Sequence, residues 1–295
     1  MAFLFQKMVV VGVGLVGGSL ALAARRRGLV KEIVGYGRGE KNLKWAQKNG
    51  IIDRFFMREH QIPEGVDLLV MATPVQAINA LTRSFLPKLE ASCLITDVGS
   101  VKARVVRDME NLLPPGISFV GAHPIAGGEQ WGAQAAVEEL FVGQRCILTP
   151  TLKTDAEALK KVAILWRRVG AKLEFMDPVT HDEILGMVSH LPHVLAYAMV
   201  NTLSRWKVDS LDVKGYCGSG FKDFTRIASS RPEIWRDICL FNRQVISKSL
   251  GDYIKRLQQL RRWIRDGEGD LLEREFASAN EIRKQIGSVD GKRGE

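Results

Sequence analysis

Val9-Val10-Val11-Gly12-Val13-Gly14-Leu15-Val16-Gly17-Gly18 decides the fold. An apolar, β-branched run ends in glycines spaced G-x-G-x-x-G and leads into Ser19-Leu20-Ala21-Leu22, a helix-like segment. A strand that must turn sharply into a helix over a diphosphate needs this spacing. Gly12 permits the tight turn, Gly14 lets the main chain approach the phosphates, and Gly17 lets the helix lie close to the strand. The helix N-terminus at Leu15 and Val16 would meet the anion with unpaired N–H groups and the positive end of the helix dipole. A competing reading makes residues 8–24, nearly all apolar and followed by Arg25-Arg26-Arg27, a membrane anchor. The glycines and the marginal length speak against it, and the segment is read as the start of a dinucleotide-binding domain.

Short apolar runs recur at 8–13, 32–36, 67–72, 93–98, 117–122, 145–149 and 172–176, alternating with helix-period segments. That alternation predicts a doubly wound, Rossmann-type, mostly parallel sheet covered by helices on both faces. Ligands bind such sheets beyond the carboxyl ends of the strands. Three segments fall there: Thr73-Pro74-Val75, Gly99-Ser100-Val101-Lys102 and His123-Pro124-Ile125. Thr73, Pro74 and Gly99 are accordingly placed beside the cofactor.

After Asp177-Pro178 only helix-period stretches follow. One apolar stripe runs through Leu185, Val188, Leu191, Leu195 and Met199, another through Phe241, Val245, Leu250, Ile254, Leu257, Leu260 and Ile264. We therefore expect two domains: a dinucleotide-binding domain over 1–177 and an all-helical substrate and dimerisation domain over 178–295. A small helical domain with this much apolar surface completes its core against a second copy, so a homodimer is expected. The tail 287–295 reads as frayed.

With 42 Lys and Arg against 33 Asp and Glu, the 295-residue chain carries a formal charge of +9. The basic residues are scattered rather than interleaved with aromatics, which argues against a nucleic-acid surface; neither nucleic acid nor membrane is expected as a partner. The cysteines, Cys93, Cys146, Cys217 and Cys239, have no paired spacing, which fits free thiols in a cytoplasmic protein, and no metal-ligand set emerges.

Oxidising an alcohol with a nicotinamide needs a base for the hydroxyl proton. Histidine suits this near neutral pH. His123, expected just after a strand at the active rim, is the candidate base. The Ser100 hydroxyl on the neighbouring rim is placed to orient both His123 and a substrate oxygen, or to cap the next helix, and the two roles are compatible. His190 and His193, three apart, would share one helix face, for substrate contact or for core hydrogen bonding. Arg226, after the glycine-rich Gly218-Ser219-Gly220 segment, can clamp a carboxylate bidentately. His60 is given no role.

These motifs, in this order, resemble the prephenate and arogenate dehydrogenase family of tyrosine biosynthesis. The carrying segments are 12–18, 97–102, Gly121-Ala122-His123-Pro124-Ile125-Ala126-Gly127, His181-Asp182, 189–193 and 220–228. The resemblance implies that His123 takes the ring hydroxyl proton with Ser100 holding it, that Arg226 binds the ring carboxylate, and that His190 and His193 line the pocket. It implies that Asp182 supports the helical side. It also implies that Trp235, with Lys222 and Asp223, reaches toward the other subunit's site, facing Glu129. Ser219 departs from the glycine expected there. The implied activity is oxidative decarboxylation of prephenate, or alternatively of arogenate. Another hydroxy-acid dehydrogenase and a non-catalytic nucleotide sensor remain further alternatives. At the place of the usual acid for the ribose 2′-hydroxyl stands Gly37, followed by Arg38, which suits a 2′-phosphate; NADP is favoured, with NAD use alongside.

Overall fold

The computed structural model describes residues 2–128, 130–208 and 211–288. Six parallel strands form the first sheet: β1 (Phe5–Val11), β2 (Val30–Tyr36), β3 (Arg54–Phe56), β4 (Leu68–Met71), β5 (Leu94–Asp97) and β6 (Ser118–Val120). Their order is β3-β2-β1-β4-β5-β6. The order reverses at β1, whose neighbours are β2 and β4, so a crevice opens beyond its carboxyl end.

Side chains along β1 alternate between two cores, as the period of two requires. Met8 and Val10 pack with α1 (Leu15–Arg26), α2 (Glu40–Lys48) and α5 (Ala156–Arg168). Val9 and Val11 pack with α3 (Val75–Phe85) and α4 (Ala103–Leu112). Burial on both faces explains why this strand reads as a continuous apolar run. Each such side chain contributes roughly 1.5–3 kcal/mol, and the run lies at the centre of a sheet rather than in an anchor.

All the expected strands form, and β3, three residues long, is added to them. The run 117–122 does not stay in one sheet. At Gly121 the main chain presses against Thr149, whose Oγ1 would lie 2.5 Å from a Cβ placed there. Beyond it, β7 (Ala122–Pro124) joins β8 (Arg145–Leu148) and β9 (Lys172–Phe175) in a second sheet, antiparallel to β8. His123 therefore sits within a strand, paired with Ile147, and not in a loop after one.

The chain turns helical at Pro178. Asp177 caps α6 (Pro178–Leu185), its Oδ1 accepting the Val179 and Thr180 N–H groups at 3.0 Å each. A π-helical turn, Gly186–His190, leads into α7 (Leu191–Arg205). Its extra residue per turn shifts the register, so the stripe read at α-helical period is split: Leu185 and Leu191 are buried, whereas Val188 and Met199 are exposed. The run Pro178–Arg205, with a window of mean hydropathy 1.2, is long and apolar enough to cross a membrane. Then come α8 (Ser219–Thr225) and α9 (Pro232–Phe241). Because α6 packs on α4 and α9 on α3, these helices stay in one compact unit with the sheets. That unit ends at Val245.

The second unit begins at Ile246, within α10 (Arg243–Asp266), and includes α11 (Gly269–Ser288). Arg256 of α10 pairs with Glu275 of α11 at 3.4 Å. Ile254, Leu257 and Ile264 on one helix and Phe276, Ile282 and Ile286 on the other are exposed. The helix takes in residues 287–288 of the tail expected to fray; 289–295 lie outside the described residues.

Candidate active site

At the end of β1, Gly12 adopts φ +102°, and a Cβ on it would lie 2.4 Å from the Ala72 carbonyl oxygen. Gly17 is equally tight, with the Gly12 oxygen 2.3 Å from any added Cβ, so helix and strand touch main chain to main chain. A Cβ on Gly14 would meet nothing within 4 Å. The first helical hydrogen bond of α1 runs from Gly18 N to Gly14 O, 2.8 Å, so the N–H groups of Leu15, Val16 and Gly17 precede the intrahelical ladder. Thr73, followed by Pro74, sits across the crevice, its Oγ1 buried without a hydrogen-bond partner. An open glycine, free helix-end donors and an orphaned hydroxyl are what a dinucleotide diphosphate and its ribose would satisfy.

Arg38 is exposed in the loop between β2 and α2, and its charge reaches the Tyr36 hydroxyl. Burial, together with a hydrogen bond to Glu59, pushes that hydroxyl's pKa up to about 12, so it remains a donor.

The strand carrying His123 is anchored by a fully buried ion pair. Lys102 Nζ pairs with Asp97 and also donates to the Ala122 oxygen at 3.0 Å, while Asp97 Oδ1 accepts the Ala122 N–H at 3.0 Å. Gly99 N donates to the same carboxylate at 2.9 Å. Ser100 is half-buried and does not cap α4. That duty falls to Asp182 of α6, whose carboxylate accepts the N–H groups of Lys102 (2.7 Å) and Ala103 (3.0 Å). A carboxylate from another element thus meets the helix N-terminus, and the serine hydroxyl is left for other partners.

Asp182 also fixes the imidazoles. Its Oδ1 lies 2.8 Å from His181 Nδ1, and His181 Nε2 lies 2.8 Å from His123 Nδ1. A carboxylate that accepts two main-chain N–H groups is an acceptor, so His181 carries its proton on Nδ1 and presents a lone pair at Nε2. His123 must then donate from Nδ1, which leaves its Nε2 as a lone-pair base. Burial, followed by the charges of His181, Lys102 and His190, holds the His123 pKa well below the ordinary histidine value. His181 is also lowered, mainly by burial, against the opposing pull of Asp182.

On the helical side, His190 is buried and His193 half-buried, and both face Trp235. His193 stacks on the indole at 3.5 Å with planes 17° apart, and His190 meets it edge-on at 6.2 Å. Trp235 engages the histidines of its own chain. The charge of Arg226, at the end of α8, acts on His193. Lys222, one turn earlier on α8, is exposed. Glu129 lies outside the described residues.

His181 was not among the sequence candidates for the site. The signal was its adjacency to Asp182 just after the Asp177-Pro178 helix start, where Asp182 meets the start of α4 and His181 meets His123 of β7.

A glycine turn at the switch point of a parallel sheet, opposite a buried histidine whose tautomer leaves a free base, defines a nicotinamide-dependent dehydrogenase. Family models for the prephenate dehydrogenase nucleotide-binding domain and dimerization domain match residues 20–175 and 177–278. The chain belongs to the prephenate dehydrogenase family. The prephenate dehydrogenase of Bacillus subtilis is 35% identical over 280 residues, covering 94% of this chain and 75% of that protein. The cyclohexadienyl dehydrogenase of Zymomonas mobilis is 31% identical, covering 95% of each. The crystal structure of the A. aeolicus prephenate dehydrogenase in complex with hydroxyphenyl propionate and NAD+ superposes with a TM-score of 0.89 at 38% identity, covering 96% of this chain and 98% of that one. The reaction is the NAD(P)-dependent oxidation of prephenate in tyrosine biosynthesis.

Proposed function

We propose that His123 Nε2 is the general base that takes the C4 hydroxyl proton of prephenate. Gly12, Gly14, Leu15, Val16, Gly17, Thr73, Pro74 and Gly99 would hold an oxidised nicotinamide, which when bound would accept the hydride leaving C4. As the C4 hydroxyl becomes a carbonyl, the ring carboxylate para to it leaves as carbon dioxide and the ring becomes aromatic. His181 and Asp182 take up the positive charge that forms on His123, through the hydrogen bonds already in place. The observation that carries this reading is the chain Asp182–His181–His123, which leaves the lone pair on Nε2.

Ser100, with its hydroxyl uncommitted to the helix cap, is assigned to the substrate oxygen. Arg226 is assigned to the ring carboxylate, with His190, His193 and Trp235 lining the pocket and Lys222 adding positive charge at its mouth. The ring chemistry is the same for prephenate and its amino counterpart arogenate; we assign prephenate because the matching family models carry that name. Replacing His123 by Asn tests the base: we expect kcat to fall about 10²–10⁴-fold with cofactor affinity unchanged, and near-normal turnover would remove His123 from the role.

We infer that NADP is used more efficiently than NAD. Gly37 leaves no acid beside Arg38, and Glu59 at this rim is engaged by Tyr36. The dinucleotide domain is assigned to 1–177 and the substrate and dimerisation domain to 178–295, with the exposed apolar residues of α6 and α7 covered by a second copy rather than by lipid. Free thiols at all four cysteines fit a cytoplasmic enzyme.

A further inference from the structure

Asn242 is buried, 4% exposed, at the break between α9 and α10. Its Nδ2 lies 2.8 Å from the main-chain oxygen of Asp182 and 3.2 Å from His190 Nδ1. A main-chain carbonyl has no proton to give, so the amide nitrogen, and not its oxygen, must face Asp182. The second hydrogen on that nitrogen is then directed at His190 Nδ1, which can only accept it. His190 therefore carries its proton on Nε2. Burial holds the His190 pKa down near 4, so the ring is neutral at pH 7 and its tautomer decides what it can bind.

The Nε2–H is itself buried and makes no well-formed hydrogen bond; its one acceptor, the main chain of Ser100, meets it only at weak geometry. A donor fixed in direction and left unsatisfied next to the site costs stability unless something bound there accepts from it. We propose that Asn242 is a positioning residue that holds His190 as an Nε2–H donor toward an acceptor oxygen of the bound ligand, either the substrate or the nicotinamide carboxamide. The same amide bonds the main-chain oxygen of Asp182, whereas the Asp182 carboxylate that orders the proton chain behind His123 is held separately by the N–H groups of Lys102 and Ala103. The inference rests on the site proposed around His123, but its first test needs no turnover.

Nitrogen-15 NMR of the full-length protein labelled in histidine, with His190 assigned by its loss in His190→Gln, reads the tautomer at pH 7. We expect an unprotonated Nδ1 and a protonated Nε2; the reverse assignment overturns the proposal, whatever the enzyme turns over. The second arm is Asn242→Asp, whose carboxylate can only accept and so draws the His190 proton to Nδ1. In that variant we expect the Michaelis constant for one ligand to rise about tenfold or more with kcat changed by less than about threefold. A rise for prephenate identifies the substrate as the acceptor, and a rise for NAD(P)+ identifies the cofactor. Unchanged constants for both in a folded variant overturn the proposal, and if the variant does not fold, the wild-type spectrum decides.

Discussion

His123 Nδ1 lies 2.8 Å from His181 Nε2, with the two rings crossing at 62°. One imidazole is therefore the hydrogen-bond acceptor of the other. Because Asp182 fixes the far end of this chain while also capping α4, the direction of every proton in it follows from a single carboxylate.

Replacing His181 by Leu removes the acceptor for His123 Nδ1–H without a large change in volume. We expect kcat to fall about 10–100-fold, the equivalent of roughly 1–3 kcal/mol, with both Michaelis constants nearly unchanged. Steady-state kinetics check this; a KM effect without a kcat effect would make His181 a packing residue.

Stability should depend on pH through the same histidines. His123, His181, His190 and His193 all have pKa values lowered on folding, chiefly by burial. The unfolded chain binds more protons below the ordinary histidine value, so stability is complete above about pH 6.5 and is lost as pH falls toward the folded values. For His190 alone, whose value falls from 6.5 to about 4, the loss approaches ~3 kcal/mol once pH drops below that range. Urea unfolding at pH 7.5 and pH 5 should show a lower midpoint at pH 5; equal midpoints would mean these rings are not buried neutral.

Arg226→Gln should raise the Michaelis constant for prephenate far more than it lowers kcat, because the arginine holds a carboxylate that is about to leave. The opposite split, measured in the same assay, would move Arg226 from binding to chemistry.

Arg38→Ala should raise the Michaelis constant for NADP+ by about tenfold or more while leaving that for NAD+ within about twofold, since only NADP carries the 2′-phosphate. An unchanged ratio of the two would remove the specificity assigned to Arg38.

The parallel sheet was legible because β1, buried on both faces, carries its signal in the single run ending at Gly12. The catalytic arrangement was less so. His123 was recognisable as a candidate, but its position within β7 depends on Gly121, where contact with Thr149 shifts the chain from one sheet to the other. The role of Ser100 as a possible cap was decided by Asp182, about eighty residues away, which no local pattern reveals. Likewise the π-helical turn before α7 divides a stripe that looks continuous at α-helical period. Where the outcome is set by pairing between distant segments, as for His181 and Asn242, the residue types were visible but their partners were not.

The central claim is tested most directly by following reduced nicotinamide formed by the purified protein from prephenate or arogenate, each with NAD+ or NADP+. The account predicts turnover with prephenate, fastest with NADP+, and loss of that turnover in His123→Asn. A folded protein that binds the cofactor yet oxidises neither ring substrate would contradict it.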